Sequence, residues 1–433
     1  YVADASAPYL EYAGAWPIRY GRATRSEIQG VIVAWEVPVS RLMPRRHWEV
    51  DRPLDAQDEI DFAALVKARG DGVAPASAVT LEGPRSLTFE LGTPQEAADK
   101  GFGRGPGKLA GPDAAMVFRF ISGTPDDANP GTVHLQRTWF AYYEPIAEET
   151  AADRRRARRA AREGTTITVQ AREAVGVVVV MPGLYGTPEP VFDGLVRRLR
   201  EHGFGVLRML AQPSRFTEEA RIDLDPARME EDAGRVAAAL GDRAAECAFA
   251  VEAALLHIEG SRPELAKLPK AIMGASGGGM TLPVVYARSP ERYSAAVLIG
   301  SAADLWLIAR RSAYTNDARS LSIRLKGQAR IADESTPGYD WRAFDAMYLD
   351  RAALDPFHTA KAMQGRKVLM FHGEQDLAVP AQLGDLLWER LGKPERWSYP
   401  TGHEGLIIEM LPRDTDKIIA WMKGSMGIDE QKP

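Results

Sequence analysis

Residues 271–280 read Ala271-Ile272-Met273-Gly274-Ala275-Ser276-Gly277-Gly278-Gly279-Met280, a short apolar run followed by a serine set among glycines. The first three residues have strand character, and a helical pattern runs on over 280–288. A chain that passes from strand to helix in so few residues must turn sharply at the serine. That turn forces a strained backbone conformation, and only small neighbours let the flanking segments pass so closely. The hydroxyl of Ser276 is thereby pushed into the open. A Gly-x-Ser-x-Gly pentapeptide arises often by chance in a chain with 39 glycines, so the strand before it and the helix after it carry the reading.

The same rhythm extends on both sides of that stretch. From about residue 165, apolar segments at 175–181, 204–210, 271–273, 295–299 and 367–371 alternate with helical patterns at 190–202, 226–258, 280–288 and 413–423. The 226–258 pattern is expected to break near Gly241. Near-continuous apolar strands between helices are what a mostly parallel sheet covered on both faces requires. The expectation is an α/β catalytic domain over 165–426, with a tail at 427–433. Upstream, β-branched and aromatic runs at 28–37, 86–91, 116–121 and 132–143 are separated by Gly/Pro/Asp-rich turns. They predict a separate β-rich, sandwich-like domain over 1–145, interrupted by a helical pattern at 55–69. Between 146 and 164 the composition shifts to Ala, Glu and Arg, including Arg154, Arg155, Arg156, Arg158, Arg159 and Arg162. This reads as a solvated helical linker. No internal repeat is visible.

Composition narrows the function. The 433 residues suggest two or three domains. With 45% hydrophobic and 26% charged residues, the chain falls among globular proteins. Its 54 Lys+Arg against 59 Asp+Glu give a net charge of -5, which offers no general field for nucleic acid. The single cysteine, Cys247, excludes an intramolecular disulfide and a cysteine-based metal site. No apolar run approaches the roughly 18 residues of a membrane span. The glycine-rich stretch 101–112 lacks the Gly-Lys-Ser/Thr ending of a phosphate loop. The start at Tyr1 suggests a processed terminus, which tilts the expectation slightly toward a periplasmic or secreted protein over a cytoplasmic one.

Two further motifs follow the serine. His372-Gly373-Glu374-Gln375-Asp376-Leu377-Ala378-Val379-Pro380 comes directly after the apolar segment 367–371, and Thr401-Gly402-His403-Glu404-Gly405 precedes the last helical pattern. In their order, Ser276, Asp376 and His403, at separations of 100 and 27 residues, the chain resembles the α/β-hydrolase family, in its serine esterase and lipase-like members. The resemblance covers about 165–426. It implies a nucleophile elbow at Ser276, a base at His403 and an orienting acid at Asp376. It also implies an oxyanion hole formed by the backbone N–H of Gly277 and a second N–H on the loop after an earlier strand. That loop is Met181-Pro182-Gly183-Leu184-Tyr185-Gly186-Thr187, where many members carry His-Gly-x. Leu184 and Tyr185 both remain candidates for the donor, and Tyr185 is also a candidate for lining the pocket.

These residue types suit the chemistry. A serine hydroxyl is a weak nucleophile unless a base takes its proton during attack, and a histidine suits that task when a carboxylate fixes its tautomer. Asp304, after the preceding strand, is the rival acid and Glu374 a weaker one; His372 and His358 read as structural. Between 301 and 358, Trp306, Tyr314, Trp341, Phe344, Met347 and Tyr348 interleave with Arg310 and Arg311. They read either as a lid that sets the substrate or as aromatics that only pack an insertion down. The leading expectation is a serine hydrolase acting on a small-molecule or polymer carboxylic ester, with neither cofactor nor metal. The alternatives are a peptidase similar to the prolyl-oligopeptidase group and a non-catalytic binding protein on the same fold. Against the peptidase, the 145-residue N-terminal segment is too short for a propeller of seven blades of about 40 residues, and Gly277 stands where those peptidases usually have Tyr.

Overall fold

A computed structural model describes residues 87–92, 113–125, 133–146, 172–183, 189–210, 220–312, 321–326 and 339–428. The segments expected at 28–37 and 55–69, the glycine-rich stretch 101–112, Arg154 to Arg162, Leu184, Tyr185 and Tyr314 lie outside the described residues.

Six valine- and glycine-rich residues make β4 (Gly176–Met181), buried along its whole length. It lies centrally in a nine-stranded sheet with β1 (Leu87–Gly92), β2 (Met116–Pro125), β3 (Val133–Tyr143), β5 (Phe204–Met209), β7 (Lys270–Ala275), β8 (Ala295–Ile299), β10 (Val368–Gly373) and β11 (Glu395–Tyr399). The order is β1-β2-β3-β5-β4-β7-β8-β10-β11. From β5 to β11 all pairings are parallel, while β3 runs antiparallel to both β2 and β5. Eight strands from β2 to β11 with the second one reversed is the arrangement of the α/β-hydrolase fold, and the chain has that fold. A separate pair, β6 (Ala220–Leu224) and β9 (Leu321–Leu325), forms a two-stranded parallel sheet.

The longer helices among the described residues are α1 (Glu189–Glu201), α2 (Met229–Ser261), α3 (Gly277–Arg288), α4 (Leu305–Arg311), α5 (Trp341–Arg351), α6 (Ala381–Arg390) and α7 (Leu411–Ser425). On one face of the sheet Val177, Val179, Ile272 and Leu298 pack with Val251 and Ile258 of α2, Leu282 of α3 and Leu383 of α6. On the other, Val178, Val180, Met273 and Val297 pack with Phe192 and Leu199 of α1 and Ile418 and Met422 of α7. Helix α2 continues through Gly241 without the expected break, because Val236, Ala237, Leu240 and Ala244 on either side share one buried stripe.

Of the strands expected to form a separate sandwich, the three within the described residues, β1, β2 and β3, extend this sheet instead. Tyr142 pairs in register with Leu207, and Phe118 with Phe140, so β2 and β3 continue the sheet that the strands after residue 145 build. Phe118 and Phe140 join the core beside α2, while Val117, Ala141 and Tyr143 join the opposite one. Antiparallel strands at the edge of a parallel sheet carry the same short, aromatic, turn-bounded signature as sandwich strands, so pattern alone does not separate the two.

Within 301–358 the aromatics form a small core. Trp306 and Phe344 are fully buried, Tyr348 is 1% exposed and Trp341 8% exposed. The Trp306 indole N–H donates to Asp345, which also pairs with Arg310 at 3.1 Å.

The stacked rings of Phe118 and Phe140, 5.8 Å apart, generate a test of the single sheet. Phe140→Ala is expected to cost about 3–5 kcal/mol, the usual loss for a fully buried aromatic. In urea unfolding followed by tryptophan fluorescence, the one transition that includes α2 and α7 should move as a unit. A separate module would leave that transition where it was.

Candidate active site

Ser276 caps the step from β7 to α3 with φ 51° and ψ -123°. A left-handed φ is costly for a residue with a Cβ, so the surroundings must impose it. They do so on both sides: the Ser276 N–H donates to Ile299 O on β8 (2.8 Å), and the Met280 N–H donates to Ser276 O (2.9 Å). The glycines are required by close approach. A Cβ on Gly278 would run into the carbonyl oxygens of Met181 and Pro182, at the end of β4. The missing side chains thus let the start of α3 lie directly against the segment that leads out of β4.

His403 opens a short helical turn, His403–Gly405, that follows β11, and only 2% of it is exposed. Its Nδ1 lies 2.6 Å from Asp376 Oδ2 and its Nε2 lies 3.0 Å from Ser276 Oγ. With Nδ1–H donating to the carboxylate, Nε2 presents its lone pair to the serine hydroxyl. Asp376 sits in the turn after β10, where its other oxygen accepts the Val379 N–H at 2.8 Å. That bond fixes the carboxylate from behind, in a site where Asp376 itself is 2% exposed. The Val-Pro that ends the motif at 379–380 thus has a purpose: Val379 supplies the donor, and Pro380 then precedes α6.

Gly277 is the first residue of α3, so its N–H is among the four that have no acceptor within the helix. It lies next to the serine at the positive end of the helix dipole. The second expected donor, Leu184 or Tyr185, falls outside the described residues.

The rivals go elsewhere. Asp304 is fully buried, and its carboxylate caps α4 by accepting the Leu307 N–H at 3.0 Å. Burial, then the neighbouring carboxylates of Asp355 and Asp345, push its pKa well above the usual carboxylate value. Glu374 is exposed. His358 Nε2 bonds Leu349 O at 2.8 Å, inside the packing of the insertion. His372 lies 3.7 Å from Asp385, and burial lowers its pKa, which favours the neutral ring. Both histidines therefore have structural surroundings.

One residue of the site had no sequence signal. Gly300, just after β8, has φ +53°, and a Cβ there would stand 3.0 Å from His403 Cε1 and 3.1 Å from Nδ1. Its hydrogen atom leaves the space that the imidazole ring fills. Sequence pattern alone gives this glycine the look of any strand-ending glycine. Among the described residues, no cluster of three or more His, Cys, Asp or Glu side chains is arranged to hold a metal, and no helix is long and apolar enough to cross a membrane.

No protein-family model and no curated protein sequence matches the chain. Among solved structures, it is similar to the Pyrococcus furiosus esterase Pf2001, at 11% identity over 71% of this chain and 92% of that one, with a TM-score of 0.39. It is similar to the Pyrococcus horikoshii acylaminoacyl peptidase, at 11% identity over 73% of this chain and 49% of that one, with a TM-score of 0.41. For Est1E from Butyrivibrio proteoclasticus the identity is 12%, over 70% of this chain and 99% of that one, with a TM-score of 0.37.

The tight fit at Gly300 predicts a remote effect on the serine. Gly300→Ala is expected to push the His403 ring off line and to slow labelling of Ser276 by a fluorophosphonate about a hundredfold, the usual cost of a displacement near 1 Å. The rate of labelling measured against the parent checks this; an equal rate would mean that the ring tolerates the methyl group.

Proposed function

We propose that this protein is a serine hydrolase that cleaves a carboxylic ester through an acyl-enzyme. The observation that carries the reading is the chain of two hydrogen bonds, Ser276 Oγ to His403 Nε2 at 3.0 Å and His403 Nδ1 to Asp376 Oδ2 at 2.6 Å. In this reading Ser276 Oγ attacks the acyl carbon as Nε2 takes its proton, and the imidazolium is stabilised by the carboxylate of Asp376. The tetrahedral oxyanion is met by the N–H of Gly277 and by a second N–H at Leu184 or Tyr185. Collapse expels the alcohol, which receives the proton from Nε2. A water molecule then gives a proton to His403 and attacks the acyl-enzyme, releasing the acid and restoring Ser276.

Each part has a physical support in the fold. The serine sits at the carboxyl end of β7, the aspartate beyond β10 and the histidine beyond β11, so three loops at one edge of the sheet meet. In an open α/β sheet that edge is where ligands bind. The acid and base are almost wholly shielded from water, which strengthens their interaction.

The test is hydrolysis of a p-nitrophenyl acyl series from acetate to long chains, with a proline-containing peptide substrate alongside. Ester turnover is expected in the parent and its loss in Ser276→Ala. Asp376→Asn is expected to lower kcat by about ten thousandfold, because the amide would favour the wrong tautomer of His403. Turnover of the peptide alone would replace the ester reading with a peptidase. No turnover together with no fluorophosphonate labelling would leave a binding protein.

A further inference from the structure

The helical run that begins at His403 does not stay α-helical. Residues His403–Gly405 form one turn, Leu406–Met410 form a π-helical turn, and α7 continues to Ser425. The Leu411 N–H donates to Leu406 O, five residues back, where an α-helix would use residue 407. The π turn therefore holds one residue more than the α-helix needs. Since each helical residue turns the chain by about 100°, one added residue rotates everything before it relative to everything after it.

The residues on both sides are pinned. After the turn, Leu411, Ile418, Ile419 and Met422 are fully buried against the sheet, and Asp414 accepts the Tyr399 hydroxyl of β11 at 3.0 Å. Before it, His403 is fixed to Asp376 and Ser276. Neither side is free to rotate to suit the other, so the extra residue absorbs the mismatch. Within the turn, Leu406 is fully buried beside Gly300, so the same turn also packs next to the glycine that clears room for the His403 ring.

Pro412 explains why the wide turn sits where it does. In an α-helix residue 412 would donate its N–H to Ile408 O; proline has no N–H, and its ring would clash with that carbonyl. Widening the turn directly before Pro412 relieves the clash. An extra residue in a uniform helix has no preferred place, whereas here the proline holds it next to the histidine.

We propose that the extra residue of the π turn Leu406–Met410, held in place by Pro412, is a positioning device that rotates His403 into line with Ser276 and Asp376. The inference rests on the serine hydrolase reading for its kinetic consequence, but its geometric content stands apart from it.

The experiment removes the extra residue. Glu409 is the exposed member of the turn, and it is deleted in a chain that also carries Pro412→Ala, so that an uninterrupted α-helix can form. The expected result is cooperative unfolding as in the parent, kcat lowered by about a hundredfold or more, and KM within about threefold. Glu409→Ala keeps the residue count and is expected to retain the parent kcat to within about threefold. A folded deletion variant with the parent kcat would overturn the proposal. Where the deletion does not fold, Pro412→Ala at full length decides: it lets the wide turn migrate, and kcat is expected to fall several-fold at unchanged KM and unchanged stability. An unchanged kcat there overturns the proposal. A second readout does not need turnover: the proton NMR signal of the His403 Nδ1–H, deshielded by its short bond to Asp376 and assigned by its loss in Asp376→Asn. Its loss or shift in the Pro412→Ala chain is expected. If the parent hydrolyses nothing but shows this signal, and the variant loses it, the hydrolase reading fails while the positioning device stands. If the signal persists unchanged in the folded variants, the device fails.

Discussion

A single strained backbone conformation organises this molecule. Ser276, with φ 51°, sits where an L-residue loses on the order of 1–3 kcal/mol, and such a conformation persists only when its surroundings fix it. Here the fixing comes from neighbours on both sides in the sheet. Strand β8 takes the serine N–H through Ile299 O, and α3 takes its carbonyl through Met280. Strand β4 comes so near that Gly278 has no room for a Cβ beside Met181 and Pro182. The elbow thus requires β4, β7 and β8 to be adjacent and parallel, and these are fully buried strands at the centre of the sheet.

From that centre the site is completed by segments far apart in sequence. Asp376 arrives on the turn after β10 and His403 after β11, on the side of the sheet away from β4. Gly300 leaves the gap for the imidazole, and α7 fixes the far end of the helical run that carries it. The precision of the 2.6 and 3.0 Å bonds is therefore a property of packed elements rather than of the loops alone. The insertion after β8 adds a buried arrangement of its own, in which Asp355 accepts N–H groups from Asp304, Leu305 and Phe357 and the hydroxyl of Tyr348. These bonds tie α4 and α5 to one another through Asp355 and account for acidic residues deep in the insertion.

Several elements were legible because their physics is local. The run Val177 to Val180 is too apolar and β-branched for anything but a strand buried on both faces, and α1 and α3 lie close to their expected positions. Strand β11 was not legible: Glu395-Arg396-Trp397-Ser398-Tyr399 is half exposed at the sheet edge and lacks the apolar signature of its neighbours. The membership of β2 and β3 in the main sheet was not legible for the opposite reason. Their alternating aromatics are equally suited to a sandwich and to an antiparallel edge, and only pairing of β3 with β5 distinguishes the two.

The sequence by itself determined Ser276 and the glycines around it, because a sharp strand-to-helix turn demands small residues there, and its resemblance to the α/β-hydrolases offered His403 and Asp376 with Asp304 as a rival acid. The tertiary structure alone decided that Asp376, and not Asp304, faces the histidine. Both aspartates lie in turns after strands, and their roles diverge only because α4 takes one carboxylate as its cap while the turn into α6 holds the other against His403. It also decided the need for Gly300 and for the extra residue before Pro412. These are matters of clearance and rotation between elements, and no single segment of the chain contains that information.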